Sequence, residues 1–375
     1  MRDVVVTGIG LVSSAGEGVE PHLAVLSANA APRVDAETFA PYPVHPMVAL
    51  DWDRQIPKKS DQRQMEAWQK LGCYAAGLAL DAAGAKEDAA LKGRMHLIVA
   101  AGGGERDYAV DGQILTGLRQ AENPGIFLNE RLMGDLRPTL FLAQLSNLLA
   151  GNISIVHGVT GASRTFMGEE SSGVDAIRIA KERIASGQND IFLVGGAYNA
   201  ERPDVLLIYE MGGFLWKRPY RPVRERATDG GGMILGSGAC FLVLESREHA
   251  AARGATPLAI LAGITSDRSR REPGSVERVL RAQADRLGAR PDVVISGATG
   301  VKGITEDEQA ALAAFAPDAA IHATGDLVGH TMEAQAPIGV ALAAALIGQG
   351  KAGEALVTSV GHWRGEGAVR LTKVS

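Results

Sequence analysis

The chain has 375 residues, of which 46% are hydrophobic and 22% are charged, and its formal net charge is −5. That length can bury a large core, and the slightly acidic balance without a long basic block disfavours a nucleic-acid-binding surface. The two cysteines, Cys73 and Cys240, lie too far apart for a metal motif and are too few for a disulfide framework. No apolar run reaches the ~18 residues of a membrane span, and no signal peptide precedes the first apolar run, so we expect a cytoplasmic protein.

Short apolar runs recur along the chain and predict β-strands. They are rich in Val, Ile and Leu, often end in glycine, and show little alternation of polar and apolar residues. That pattern is typical of strands that are buried on both faces of a sheet. The runs cover residues 3–10, 95–104, 190–198, 238–245, 258–266, 291–300, 354–362 and 367–374.

Stretches with helical character lie between these runs. The apolar spacing or the Ala-rich composition predicts helices over residues 63–83, 172–186, 306–315 and 336–348. Strands that alternate with helices indicate an α/β protein whose sheets are covered by helices on both sides.

The strand runs fall into two sets of four, which suggests an internal duplication with a hinge near residues 247–258. We therefore divide the chain into a first half, residues 1–250, and a second half, residues 251–375. Residues 105–145 form a long insertion between predicted strands, and such insertions commonly cap a site or build an interface. Residues 31–60 contain several prolines and predict a surface excursion.

A glycine-rich turn follows the first predicted strand, as it would in a dinucleotide-binding fold. Gly8 and Gly10 are present, but the third glycine of that fingerprint is missing and no ribose-binding acid stands clearly downstream. This disfavours nucleotide binding, and we predict neither a cofactor nor a metal site.

Several segments, in the same order along the chain, resemble the β-ketoacyl synthases, which are thiolase-fold condensing enzymes. The opening VVVTGIGLVSSAG is similar to the first strand and turn of that family, and GVTGASRTFMGEESSG is similar to its nucleophile turn. The segments EMGGFLWKRPYRPVRERATDGGG and VGHTMEAQAPIG resemble the end of its first half and its late glycine-histidine helix. The resemblance implies a thiolase-like α/β fold of five layers, αβαβα, which is duplicated and normally dimeric.

In active members of that family a cysteine stands at a strand-to-helix turn, within the pattern Thr-Ala-Cys-Thr/Ser-Ser-Gly. A helix N-terminus lowers the pKa of a thiol, which makes the thiolate a competent acyl acceptor. The corresponding stretch here is GEESSG, residues 168–173, and it places Glu170 at the cysteine position. A carboxylate cannot carry a stable thioester, and Cys73 and Cys240 lie inside a helical and a strand pattern. The resemblance therefore implies that the nucleophile is missing.

The same comparison finds glycine at two further catalytic positions. The first histidine of the family corresponds to Gly297, and the lysine that precedes the second histidine by five residues corresponds to Gly325. The second histidine is retained as His330, and the gating phenylalanine corresponds to His362. Condensation requires an acyl-thioester and donors that stabilise the enolate formed on decarboxylation. The resemblance thus implies no autonomous condensing activity.

Structural interpretations of these residues stay open. Glu170 could be a buried carboxylate that is neutralised or paired with His330 or Arg364 and that fixes structure alone. His330 could be retained because its turn packs well, and Glu169 fits an acid that favours the positive end of a helix dipole. None of these interpretations restores condensation.

Synthase-like chains that lack the cysteine include the chain-length factors of type II polyketide systems, which pair with an active synthase. By this resemblance we expect a non-condensing subunit whose partners are an active ketosynthase and an acyl carrier protein with its acyl chain. Glutamate in place of the usual glutamine, and a shorter C-terminal part, favour the aryl polyene type. Two alternatives stay open: a homodimeric malonyl-carrier-protein decarboxylase that uses Glu170 and His330, and a protein that binds acyl chains or carrier protein without chemistry.

The long insertion is our candidate for part of the interface and tunnel, because the family places its dimer contacts there. Its apolar residues suit such a lining, although an ordinary core role is an equal alternative. The candidates are Phe127, Leu128, Leu132, Met133 and Phe141.

Overall fold

The computed structural model describes residues 1–28, 31–136 and 140–374 of the chain. In these ranges eleven strands form one large mixed sheet, and two further short strands pair with each other. The strands are β1 (Val4–Ser13), β2 (Gly16–Glu17), β3 (Val44–His45), β4 (His96–Ala101), β5 (Ser163–Phe166), β6 (Ile191–Tyr198), β7 (Leu235–Gly236), β8 (Gly238–Ser246), β9 (Ala259–Asp267), β10 (Val293–Ser296), β11 (Ala320–Ala323), β12 (Glu354–Val360) and β13 (Glu366–Thr372).

The large sheet is built from two sets of five strands with the same pairing pattern. The first set has the order β5-β4-β6-β8-β1 and the second has the order β11-β10-β12-β13-β9. In each set the two inner pairs are antiparallel and the two outer pairs are parallel. The sets join where Val5 and Val6 of β1 pair with Ile260 and Ala259 of β9. The strand topology confirms the predicted duplication, whereas the division of the chain at residue 250 stays a prediction.

Helices fill the connections between the strands. They are α1 (Val19–Ala28), α2 (Lys59–Gln64), α3 (Ala67–Ala82), α4 (Ala89–Arg94), α5 (Tyr108–Leu118), α6 (Pro124–Gly134), α7 (Leu140–Ala143), α8 (Leu148–His157), α9 (Glu170–Ala185), α10 (Pro203–Met211), α11 (Val223–Thr228), α12 (Arg247–Ala252), α13 (Ser275–Leu287), α14 (Ile304–Phe315), α15 (Thr324–Leu327) and α16 (Gln335–Gly348). Two short 3₁₀ turns, Trp52–Arg54 and Met332–Ala334, complete the regular structure. Within the described ranges, no helix is both long and apolar enough to cross a bilayer.

Two central helices, α9 and α16, form the middle layer of the fold. They contact each other and strands of both sets. All residues of α16 from Gln335 to Ile347 are buried, as expected for a helix that is apolar around its whole circumference. Helices α3 and α8 cover the outside of the first strand set, and α13 and α14 cover the outside of the second. The layers therefore run αβαβα, as the resemblance implied.

All eight predicted strands are present, but β5 and β11, at the outer ends of the two sets, were missed, as were the two-residue strands β2, β3 and β7. The helix predicted from residue 63 begins at Ala67, because Glu66 and Gln69 form a capping box that starts a new helix after the separate α2. The helix predicted from residue 172 begins two residues earlier, at Glu170. The excursion over residues 31–60 contains a two-residue strand, a 3₁₀ turn and the start of α2.

Candidate active site

The site is built around the turn from β5 into α9. Gly168 and Glu169 have φ angles of 137° and 58°, so the chain enters the helix through two residues with left-handed backbone torsions. In the described part of the chain, the non-glycine residues with positive φ are Glu169 and Met332, and Met332 lies two residues after His330. Such a conformation costs ~1–3 kcal/mol and persists where the surrounding structure enforces it. Strained turns therefore present both Glu170 and His330.

Glu170 is the first residue of α9, and its side chain is 1% exposed. Its Oε1 lies 2.6 Å from Nε2 of His330 and 3.0 Å from Nδ1 of His362. The backbone N–H of His362 also donates to this oxygen, at 3.0 Å. Both histidines are buried. The carboxylate thus joins the start of α9, the turn before α16 and the loop between β12 and β13.

The two histidines decide the charge of Glu170. Burial is the largest influence on the pKa of Glu170 and acts to raise it, but hydrogen bonds and charge from His330 and His362 outweigh burial. The pKa of Glu170 therefore lies well below its ordinary value. Burial likewise lowers the pKa of His362, yet the contact with Glu170 outweighs it and the pKa of His362 is raised. Glu170 is consequently a buried ionised carboxylate that two imidazoles stabilise.

Glu169, the residue before Glu170, is partly exposed and contacts the loop between β12 and β13. Its Oε2 accepts a hydrogen bond from Nε1 of Trp363 at 3.1 Å, and Nε of Arg364 lies 4.0 Å from the same oxygen. Nε2 of His362 lies 3.8 Å from Oε1 of Glu169. Of the two partners that the sequence suggested for Glu170, the structure supplies His330. Arg364 instead approaches Glu169, and the second contact of Glu170 comes from His362.

The ring of His362, at the gating position, is held by aromatic side chains. It packs edge-on against Tyr209 and Phe214, with ring centroids 5.1 and 4.8 Å apart. Such perpendicular contacts are the favoured arrangement for aromatic rings. The imidazole is therefore fixed in orientation by its neighbours as well as by Glu170.

The two glycines at predicted catalytic positions lie where a side chain would not fit. A Cβ on Gly297 would lie 2.6 Å from the carbonyl oxygen of Thr358 in β12. A Cβ on Gly325 would lie 2.8 Å from a methyl carbon of Val223 and 3.1 Å from the carbonyl oxygen of Ala298. Neighbouring atoms therefore fill the space next to both glycines, and neither position has an empty pocket the size of a catalytic side chain.

The two cysteines stand away from this turn and are fully enclosed. Cys73 lies within α3 and Cys240 within β8, and both are free thiols with no exposed surface. Burial raises the pKa of each thiol, with a smaller contribution from Asp61 at Cys73. A thiol that does not ionise is a poor nucleophile, which agrees with the prediction that both are inert.

A cavity of about 740 Å³ opens beside the turn, and its lining includes Glu169, Arg364 and Tyr209. Its volume is within the usual range for small-molecule sites. The wall also contains Glu333, which the sequence analysis missed. The signal was available, since Glu333 is a lone acid at the start of an otherwise apolar helical stretch three residues after His330.

Glu333 is 4% exposed, and its Oε2 has no hydrogen-bond partner in the described structure. Burial raises its pKa from 4.5 to about 7, and the negative charges of Glu170 and Glu169 add to this rise. A buried acid whose pKa lies near neutrality is typical of functional sites, although structural networks also produce it. The wall of the cavity therefore contains a carboxyl group that titrates near neutral pH.

The candidate tunnel residues lie apart from this cavity, on and after α6. Phe127 and Leu128 are partly buried, whereas Leu132 and Met133 are exposed. A Cβ on Gly117 of α5 would collide with the Phe127 ring, so α5 and α6 pack closely together at that point. The side chain of Phe141 lies outside the described part of the structure. None of the other four is part of the cavity wall, and their role at an interface stays a prediction.

The duplicated αβαβα layers and the strained turn into a central helix define a thiolase-like protein. Residues 1–250 match the family described as β-ketoacyl synthase, N-terminal domain. The chain belongs to the β-ketoacyl synthase family.

The chain is similar to a curated synthase and to a curated ketoacyl synthase beta subunit. It is 29% identical over 270 residues to 3-oxoacyl-[acyl-carrier-protein] synthase 2 of Vibrio cholerae, and the alignment covers 70% of this chain but 62% of that relative, less than two thirds of its length. It is 28% identical over 360 residues to the tetracenomycin polyketide synthase ketoacyl synthase beta subunit of Streptomyces glaucescens, covering 91% of this chain and 84% of the relative. The solved ishigamide ketosynthase/chain length factor has the same fold, with a TM-score of 0.81 and 24% identity over the full length of both chains.

Proposed function

We propose that this chain is the non-condensing, chain-length-factor-like subunit of a heterodimer with an active β-ketoacyl synthase. The active partner forms the carbon–carbon bond on acyl groups carried by acyl carrier protein, and this subunit shapes the space that holds the growing polyketide or polyene chain. The narrower assignment to an aryl polyene pathway is part of the same proposal.

The observation that carries the proposal is the state of Glu170. Its carboxylate occupies the predicted nucleophile position, and His330 and His362 hold it there as a buried ion. Transfer of an acyl group needs a nucleophile that can form and release a thioester. A carboxylate that two imidazoles hold at 2.6 and 3.0 Å is neither free to attack nor able to form that bond.

The other catalytic positions support the same conclusion. The imidazole at His330, which would stabilise an enolate in an active site, is already committed to Glu170. The backbone packing around Gly297 leaves no room for a second donor at that position. Decarboxylation of a malonyl group on this chain would therefore have to rely on a single, occupied histidine.

The surface beside β5 supports pairing with another chain. This strand forms the outer end of the first strand set, and its free edge pairs with no other described strand. An unpaired edge beside apolar side chains is a ready template for association. Exposed large apolar side chains on this strand's flanks and on the insertion are Leu115, Ile126, Leu132, Met133, Leu142, Leu145, Ile155 and Met167.

The test is co-expression of this chain with an active β-ketoacyl synthase from the same source, followed by size-exclusion chromatography and an elongation assay with malonyl-carrier protein. We expect a one-to-one complex that elongates, and no elongation by this chain alone. A homodimer that ignores the synthase would contradict the proposal. Release of carbon dioxide by that homodimer would indicate the decarboxylase alternative, and tight acyl binding without chemistry would indicate the binding-protein alternative.

The interface can be tested separately from the chemistry. Ile155→Asp, beside β5, should weaken the complex, because a buried unpaired charge at an apolar interface is costly. The matched control is Ala313→Asp, which places the same charge on an exposed position of α14 in the second half. Equal effects of the two variants on complex formation would contradict an interface beside β5.

A further inference from the structure

The trio of Glu170, His330 and His362 has a second property that pairing with a synthase does not use. Its donor atoms, a carboxylate oxygen, an Nε2 and an Nδ1, all lie within 4.8 Å of one another. All three side chains are almost fully enclosed, at 1%, 1% and 3% exposure. Two imidazole nitrogens and one carboxylate oxygen that converge in a buried pocket form a set of potential metal ligands.

Hydrogen bonding alone leaves this trio unevenly satisfied. Oε1 of Glu170 receives three donors, whereas Oε2 of the same carboxylate has no partner in the described structure. Nδ1 of His330 is likewise buried without a partner among the described residues. A buried acceptor without a hydrogen-bond donor is destabilising, and more so when the group is charged. Because Oε1 and Oε2 share one negative charge, a cation bound through Oε1 would compensate the charge that Oε2 carries without a hydrogen-bond donor.

We propose that Glu170, His330 and His362 bind one divalent transition-metal ion, for which Zn²⁺ is the best match. Zinc accepts nitrogen and oxygen ligands at about 2.0–2.2 Å in tetrahedral geometry, which places neighbouring ligand atoms roughly 3.3 Å apart. Nε2 of His330 and Nδ1 of His362 now lie 2.6 and 3.0 Å from Oε1 of Glu170. Side-chain shifts of less than about 1 Å would widen both separations to the tetrahedral value. Magnesium and calcium prefer oxygen ligands and do not match two imidazoles.

The surroundings of His362 fit a ligand role. Coordination through Nδ1 leaves the proton on Nε2, and this atom faces Oε1 of Glu169 at 3.8 Å. A carboxylate behind a metal-bound histidine orients the ring and strengthens its basicity. Tyr209 and Phe214 already fix the plane of the ring from two sides.

A metal at this position would act as a structural clamp. It would join the start of α9 in the first half to the turn before α16 and the loop between β12 and β13 in the second half. The metal would lie at the predicted nucleophile turn. The residues that bind it would then be the same residues whose identity is expected to prevent condensation. This proposal departs from the sequence-based expectation of no metal, and it does not depend on pairing with a synthase.

The experiment uses the untagged full-length chain, stripped with a chelator, checked for folding by circular dichroism, and titrated with Co²⁺ and then Zn²⁺. We expect one Co²⁺ per chain, with visible absorption of a four-coordinate ion that Zn²⁺ abolishes on displacement. Loss of a partner behind a metal ligand costs 10–100-fold in affinity, so loss of a ligand itself, in Glu170→Gln or His362→Phe, should cost roughly 100-fold or more.

The matched control is His249→Gln. His249 also contacts a buried glutamate, Glu245, at 2.7 Å, but Arg253 takes the place of a third metal ligand there. We expect this variant to bind Co²⁺ as the unaltered chain does. A folded unaltered chain that binds no stoichiometric metal would overturn the proposal, as would Glu170→Gln and His362→Phe variants that bind as well as the control.

Discussion

Glu170 and Glu333 are two buried glutamates of one site, and their pKa values are shifted in opposite directions. Both are almost fully enclosed, at 1% and 4% exposure. Two imidazoles contact Glu170 and hold its pKa well below the ordinary value, despite the opposing effect of burial. Glu333 faces the cavity without such partners, and burial, together with the charges of Glu170 and Glu169, raises its pKa to about 7. The contact partners of a carboxyl group, more than its depth, decide whether it is ionised.

The difference bears on what each residue does in a synthase-like chain. Glu170 is an internal counter-ion that ties three segments together at the predicted nucleophile turn. Glu333 is a buried acid in the wall of a cavity, and its pKa of about 7 lets it gain or lose a proton near physiological pH. The first residue therefore carries a buried charge, whereas the second presents to the cavity a carboxyl group that titrates near neutral pH.

The largest expected effect is on stability, in Glu170→Ala. Removal of the carboxylate leaves two buried imidazoles without their counter-ion, so we expect a loss of about 3–5 kcal/mol in the free energy of unfolding. Because its pKa is depressed in the folded state, the contribution of Glu170 is present above the unfolded pKa and is lost as pH falls through the folded value. Urea unfolding at pH 7 in the presence of a chelator measures it.

Glu333→Ala is the matched control, since it removes the same atoms from an equally buried position without breaking an ion pair. We expect it to cost clearly less than Glu170→Ala. Equal losses in the two variants would break the comparison, because they would show that volume rather than charge stabilises both positions.

A smaller effect with the opposite sign is expected for Glu333→Gln. The folded protein keeps the proton on Glu333 up to about pH 7, whereas the unfolded chain releases it near 4.5. Stability therefore falls as pH rises between these values, and a neutral amide escapes that loss. We expect the variant to be more stable than the unaltered chain by about 1–3 kcal/mol at pH 8, by less than about 1 kcal/mol at pH 5, and by nearly nothing below pH ~4. A difference that does not change with pH would contradict the assignment.

The smallest effect is expected for Glu169→Gln. This carboxylate is 26% exposed and meets His362 and Arg364 at 3.8 and 4.0 Å, so its ion pairs are partly screened by solvent. We expect a loss of less than about 1 kcal/mol in the free energy of unfolding. A loss as large as that of Glu170→Ala would place the counter-ion of the histidines at Glu169 instead.

The sequence was sufficient for the fold wherever strands are long and buried on both faces. It failed at β5 and β11, which are four residues each and lie at the sheet edges, where partial exposure removes the continuous apolar signal. For the site, the motif order placed Glu170 next to His330. The sequence offered Arg364 as the alternative partner of Glu170, because it does not show that the loop after β12 turns His362 inward. Glu333 was missed although it is a lone acid in an apolar stretch, because only tertiary packing shows that its side chain reaches the cavity.

The most direct test of the central claim is an elongation assay on the complex of this chain with its synthase, in which the active cysteine of the synthase is replaced by alanine. The account predicts that all elongation stops, because the predicted nucleophile position of this chain carries Glu170 in place of a cysteine. Continued elongation in that complex, or a covalent acyl group on this chain detected by intact mass, would contradict the account.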